Sequence, residues 1–305
     1  MNRIIFFPSI FLSEDVVSDR WRLLVWMLRD QLGFKIVTTG TEIPKNVEIA
    51  IIIGLPRHIL PGNPRFNGKT KTIVYTADIH KIANHKEKTR QVLERCTVHL
   101  SAGDKIFKDN WPEFLDKHVY FPYFFASQDR YESLEFNENP TMKCLLTGHI
   151  AKAYKLRRGV YCFAISKLPG AEIFEILKHP GNLSAKEKGA IVGADYANLL
   201  NKYFCGITST LYEYPLAKHF EIMASGSLLF SDETEDLTRL GMISGKHYIS
   251  VTADNYREKV KECLESPREY ENIRKNGMEF SRKYHGINSR FKTIEKIVNR
   301  LERQG

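Results

Sequence analysis

The chain alternates short apolar runs with longer segments of helical period. Ile4–Phe7, Lys35–Thr38, Ile49–Ile53, Thr72–Tyr75 and Thr97–Ser101 are apolar or β-branched and too short for helices, so each predicts a strand. After Ser18, Trp21, Leu24, Val25, Leu28 and Leu32 recur at helical spacings and stop at Gly33, predicting a capped amphipathic helix. A second helix is predicted around Lys81–Arg95, and Trp111–Phe125 reads as a final strand leading out of this series. The polar stretch Ser127–Thr141 reads as a linker. A second series then follows, with strands predicted at Met142–Thr147, Ala171–Ile176, Phe204–Thr208, Ser227–Phe230 and His247–Val251. Helices alternate with them, including a charged one at Tyr256–Leu264. The last helix, Ser289–Arg303, lines up Phe291, Ile294, Val298 and Leu301 as one stripe. Such alternation predicts doubly wound parallel sheets, and 305 residues suit two domains rather than one.

Candidate chemistry concentrates in Glu213–Phe230, EYPLAKHFEIMASGSLLF. Two carboxylates eight positions apart lead into a short helix that ends at Gly226 and runs into an apolar strand. Pro215 suits the first helical position, where its missing N–H costs little. Ala217, Phe220 and Ala224 share a core-facing side, while Lys218 and Glu221 lie one turn apart. An ionised carboxylate only accepts hydrogen bonds, so Glu221 suits two vicinal hydroxyls such as a ribose presents, and Glu213 a hexose. Lys218 suits the negative charge that builds on a leaving diphosphate. The alternative is a surface salt bridge on a solvated helix. Strand ends of open α/β sheets are where ligands bind. Asp232 and Tyr248 are further candidates for a pocket wall, with cap and core roles as alternatives. Asp78 and His80, in YTADIH, follow a predicted strand and suit a general base acting on an acceptor hydroxyl; the alternative is a helix cap and an exposed histidine. The chain has no G-x-x-x-x-G-K-[ST] loop and no G-x-G-x-x-G, against ATPase and dinucleotide roles.

KHFEIMASGSLLF, with Glu213 ahead of it, resembles the donor-binding E-x7-E motif of nucleotide-sugar glycosyltransferases of the GT-B fold, nearest the CgeB-like, "glycosyl transferases group 1" branch. CLLTGHIAKAYKLRRGVY upstream, the stretch HPGNLSAKEKGAIVGADYANLLNKYFCGITST, and GKHYISV with SRKYHGINSR downstream extend the resemblance over about Met142–Arg290. It implies an α/β protein with two Rossmann-like domains facing a cleft and a C-terminal helix crossing back to the first. The domains would be 1–128 for the acceptor, a linker 129–141, 142–288 for the donor, and the helix 289–305. It also implies a hexosyl- or pentosyltransferase that moves a sugar from a nucleotide-diphosphate donor to an acceptor hydroxyl with retention. Glu221 would bind the ribose, Glu213 would sit by the transferred sugar, Gly148 would let backbone approach the donor, and Arg157, Arg158 and Lys218 would neutralise the diphosphate. Glu213 is followed here by Tyr214–Pro215 where retaining members have a glycine-containing turn. No cofactor is implied beyond the nucleotide sugar as co-substrate, with room for a divalent cation arriving with it. A GT-B-like module that binds nucleotide sugars or polyanions without transfer is the alternative.

Charge adds one feature. The formal balance is +9, and from Tyr256 onwards 13 Lys/Arg stand against 8 Asp/Glu, a surplus of five. That favours an anionic partner and keeps an acidic glycan, a lipid-linked intermediate at a membrane surface, or a modified DNA base open as acceptors. Cys96, Cys144, Cys162, Cys205 and Cys263 are scattered and odd in number, as in a reduced cytoplasmic protein, and neither they nor the ten histidines have metal-ligand spacing. IIFFPSIFL is too short for a signal core, and no apolar run nears twenty residues.

Overall fold

The computed structural model describes residues 2–7, 20–38, 46–54, 69–76, 79, 86–126, 128–150, 154–178 and 191–304. They divide into two units, one holding the chain up to Tyr123 together with Asn288 onwards, the other Phe124–Ile287.

In the first unit the strands are β1 (Arg3–Phe6), β2 (Lys35–Val37), β3 (Ile49–Gly54), β4 (Lys71–Thr76), β5 (Val98–Ser101) and β6 (His118–Tyr120). They form one parallel sheet in the order β2-β1-β3-β4-β5-β6. The continuous burial of Ile49–Ile53 and of Thr72–Tyr75 is what a parallel sheet covered on both faces requires. Helices α1 (Arg20–Leu32), α2 (Lys86–Arg95) and α3 (Asp104–Asn110) lie between strands. Trp111–Phe125, expected as one strand, is strand only at His118–Tyr120. Pro112 has no N–H for a ladder and starts a 3-10 turn, Pro112–Phe114, after the buried Trp111.

The second unit begins with a single turn, α4 (Gln128–Tyr131), and contains β7 (Thr141–Gly148), α5 (Lys155–Ala164), β8 (Phe174–Lys178), α6 (Gly193–Lys202), β9 (Tyr203–Ile207), α7 (Ala217–Ala224), β10 (Leu228–Ser231), α8 (Glu235–Arg239), β11 (Ile249–Ser250), α9 (Tyr256–Glu265) and α10 (Glu271–Tyr284). Its sheet is also parallel, ordered β11-β10-β9-β7-β8. One face packs Leu146, Phe204, Ile207 and Phe230 against Leu156 and Val160 of α5 and Val260 of α9. The segment expected as a linker, 129–141, is fixed to this unit. Arg274 of α10 donates to Asn137 O at 2.9 Å and to Gly226 O at 3.0 Å, its guanidinium between the rings of Phe136 and Phe204. Arg282 reaches Leu134 O at 2.8 Å, and Asn137 donates to Asn201 O at 3.0 Å. The segment is held mainly through its own main-chain carbonyls, while Glu132, Ser133, Glu135, Glu138 and Asn139, whose polarity reads as a linker, stay exposed.

The last helix, α11 (Ile287–Arg303), returns to the first unit as expected. Its stripe Phe291, Ile294, Val298 and Leu301 is buried, joined by Ile297. Arg290 donates to Pro122 O at 3.0 Å and Tyr123 O at 3.1 Å, Lys71 Nζ reaches Leu301 O, and Arg3 pairs with Glu302. Among the described residues no helix is long and apolar enough to cross a membrane.

Candidate donor site

The end of β9 and the start of α7 are joined by a turn with unusual backbone. Leu211 and Tyr214 exchange hydrogen bonds, N to O, at 3.1 and 3.2 Å, and the residues between them, Tyr212 and Glu213, both have positive φ (47° and 70°). Side chains other than glycine or asparagine rarely occupy such a turn. The flanking Leu211 and Tyr214 are buried and anchor it, while Tyr212 and Glu213 are exposed. Pro215, expected to open the helix, lies outside it. Leu216 is the N-cap and Ala217 the first helical residue, because Pro215 is drawn into the exit from this turn. At the other end Ser225 closes the helix and Gly226, φ 83°, continues into β10.

Three expected phosphate-site residues converge at the ends of β7 and β9. Gly148 closes β7 with φ 108°, and a Cβ there would stand 2.8 Å from Arg157 Nη1 and 2.9 Å from Lys218 Cε. The glycine therefore makes room for two cations to close over the strand end. Arg157, from the first turn of α5, is almost fully buried. It lies 3.8 Å over the Tyr154 ring and donates to His149 O at 3.2 Å and Ser209 O at 3.3 Å. Burial pushes its pKa down, and Tyr154, Tyr196 and Asp232 oppose that shift. Lys218 Nζ donates to Tyr196 Oη at 3.0 Å, and Tyr196 Oη is 2.8 Å from Thr147 Oγ1. Beside these cations, Arg157 Nε and the hydroxyls of Thr208 and Ser209 at the end of β9 are buried without a hydrogen-bond partner. Leaving such groups unsatisfied costs about 1–3 kcal/mol each. Donors, two cations and a glycine gathered at the ends of parallel strands suit a phosphorylated ligand.

A cavity of about 420 Å³ adjoins, at the ends of β10 and β11. Lys155, Asp232, Glu233, Ser250, Asn255 and Lys259 line it with apolar Leu156, Val251 and Ala253. Asp232 is also held by Thr210, whose N–H and Oγ1 donate to its two oxygens at 2.7 and 2.5 Å. Most of the lining surface is apolar, with carboxylates, lysines and hydroxyl or amide groups set into it, which suits a ligand that offers both an apolar face and hydrogen-bonding edges.

Glu221 is buried on α7, only 9% exposed, and Lys218 is half-buried, so the two do not make a solvated surface pair. Arg158, one position beyond Arg157, is exposed, as is His149. The structure gathers Gly148, Arg157 and Lys218 and leaves Arg158 outside that cluster. Asp78 and His80 lie outside the described residues. Tyr248 is buried in the core, and Asp232 stands on the cavity wall rather than capping a helix; Thr234 caps α8. Among the described residues no group of three or more His, Cys, Asp or Glu could hold a metal ion. Two residues of the site are not singled out in the sequence, Tyr196 and His219. Tyr196 lies four before Leu200, which marks its helix face but not its hydroxyl. His219 is fully buried, with its pKa pushed down to about 4 chiefly by burial.

Residues 157–296 match the family described as Glycosyl transferase-like. No curated protein matches the chain. Among solved structures, a glycosyltransferase from Rickettsia africae shares the fold over 100% of both chains, with a TM-score of 0.64 at 11% identity. HepE of Anabaena, in complex with UDP and glucose, is similar over 98% of this chain and 99% of its own, with a TM-score of 0.65 at 8% identity. An alpha-glucosyltransferase in complex with UDP and a 13-mer DNA containing an HMU base is similar over 97% and 99%, with a TM-score of 0.61 at 13% identity.

Proposed function

We propose that this chain, with the GT-B fold and a Glycosyl transferase-like match over residues 157–296, is a glycosyltransferase that moves a sugar from a nucleoside-diphosphate sugar, with UDP the nucleotide, to an acceptor hydroxyl. The second unit binds the donor and the first recognises the acceptor. The observation that carries the reading is the closure of Arg157 and Lys218 over Gly148 beside the orphaned hydroxyls of Thr208 and Ser209. In transfer the acceptor oxygen bonds to the anomeric carbon as the bond from that carbon to the diphosphate breaks, and negative charge moves onto the leaving phosphate. Preorganised cations are worth most where charge develops. Arg157 and Lys218 meet that charge, Glu221 takes the ribose hydroxyls, and Glu213 faces the sugar, with retention of configuration. The cavity by Asp232, apolar over most of its wall with polar groups set into it, takes the part of the donor that combines a flat apolar face with hydrogen-bonding edges. UDP in two similar structures supports the choice of nucleotide.

A thermal-shift screen of the wild type and Glu221→Ala against UDP-, GDP-, ADP- and CMP-linked sugars tests this, because ligand binding stabilises the native state by mass action. Stabilisation by the UDP set, lost in Glu221→Ala, followed by release of UDP in a turnover assay, is the expected result. Stabilisation by none of the four sets would overturn the donor site.

A further inference from the structure

A buried hydrogen-bond relay braces the segment that carries Glu213 and Lys218. Asp232 holds Thr210 at one end. Ser231 Oγ lies 3.0 Å from Asp232 Oδ1 and 2.9 Å from His219 Nε2, and His219 Nδ1 lies 3.1 Å from the Leu216 nitrogen and 3.2 Å from the Leu216 oxygen. The proton directions follow from the carboxylate. It only accepts, so the single proton of Ser231 goes to Asp232. Ser231 Oγ then accepts from His219 Nε2–H; a neutral ring has only that one N–H, so Nδ1 is bare and accepts the Leu216 N–H rather than donating to the Leu216 oxygen beside it. That N–H belongs to the N-cap, at a helix start whose amides lack intrahelical partners. His219 and Ser231 are both fully buried, so water does not compete.

The relay grips 210–219 at both ends. Thr210 precedes the turn, His219 follows Lys218, and between them sit two residues in left-handed backbone that cost roughly 1–2 kcal/mol each. A segment under that strain keeps its shape only where its surroundings over-determine it.

We propose that His219 is a positioning residue for sugar transfer: through Ser231 and Asp232 it ties the start of α7 to β10 and so sets Glu213 and Lys218 against the donor, without touching substrate itself. The proposal rests on the donor-site reading above.

Two variants cut the same link. Ser231→Ala removes its middle oxygen, and His219→Asn keeps an acceptor near the Leu216 N–H but does not reach Ser231. In the folded variants kcat/KM for the sugar nucleotide is expected to fall about ten- to hundredfold, mostly in kcat. The double variant should be no worse than the poorer single one, because both sever one connection. Folded variants that lose thermal stability but keep kcat/KM, or losses that multiply in the double variant, overturn the positioning role. A second readout needs no donor: the ¹⁵N imidazole spectrum of the wild type at neutral pH should show a protonated Nε2 and a bare Nδ1. An Nδ1–H tautomer overturns the relay, whereas absence of sugar-nucleotide turnover with the Nε2–H tautomer present overturns the donor reading instead.

Discussion

Glu213 sits where a glycine would be more comfortable. Its φ of 70° and the 47° of Tyr212 make a two-residue turn that sequences usually build from Asn and Gly. Retaining a glutamate there costs stability, so the side chain is worth having for another reason. Glu213→Gly should raise the unfolding free energy by about 0.5–1 kcal/mol, relief of the left-handed strain exceeding the extra chain entropy of glycine. The same variant should lose transfer activity by tenfold or more, on the order of a lost charge-assisted contact to substrate. Urea titration and turnover measured on one preparation check both halves, and a stabilised variant with full turnover would remove Glu213 from the reaction. Its carboxylate was legible in the sequence from its distance to Glu221, but its backbone was not, because nothing in EYPLAK marks a turn whose ends are held by Leu211 and Tyr214. Gly148 shows the converse. Its need for glycine is visible in the sequence, but the reason, space for Arg157 and Lys218, depends on two side chains from other elements.

Each unit carries a histidine that folding keeps neutral. In β5, His99 is buried with Thr76 Oγ1 3.0 Å from Nε2 and its ring stacked on Phe107 of α3 at 5.0 Å; burial first, then His118, pushes its pKa down to about 3. At α7, burial brings His219 to about 4, with Arg157 adding to the shift and Asp232 opposing it. Both folded values lie below the unfolded value of about 6.5, so the unfolded chain takes up protons first as pH falls. The stability these rings contribute is complete above pH 6.5 and is lost downwards, through about 4 for His219 and about 3 for His99. Between pH 6.5 and 5 each should lower stability by up to about 1.4 kcal/mol per pH unit. Denaturant midpoints across that range should fall in the wild type and fall less in His99→Gln and in His219→Asn; a flat wild-type profile would mean that both rings protonate without cost. At this scale the strands were readable because parallel, doubly covered strands are nearly continuous apolar runs. The edges were less so: β11 is only Ile249–Ser250, and Ala171–Ile173 forms a 3-10 turn before β8.

Across the whole molecule the basic surplus reads differently once side chains are placed. From Tyr256 onwards the excess is 13 − 8 = 5, but Arg274, Arg282 and Arg290 donate to main-chain carbonyls, and Arg274 and Arg290 are buried. Burial brings all three down to about 10, still above neutral pH, so they remain charged while engaged inside their own units. Setting them aside leaves 10 against 8, a surplus of two in the same stretch. A polyanion binding there would release few counterions. Each neutralised phosphate contributes about −0.9 to the slope of log K against log salt. Non-specific duplex DNA should therefore bind with a slope no steeper than about −2 to −3. Binding measured across a potassium chloride series decides the matter. A slope near −6 or steeper would mean that exposed cations elsewhere assemble a nucleic-acid surface, and would move a DNA acceptor ahead of a glycan or lipid-linked one. Composition alone could not have separated these cases, because a guanidinium holding Asn137 O or Pro122 O counts in the net charge as fully as one on the surface.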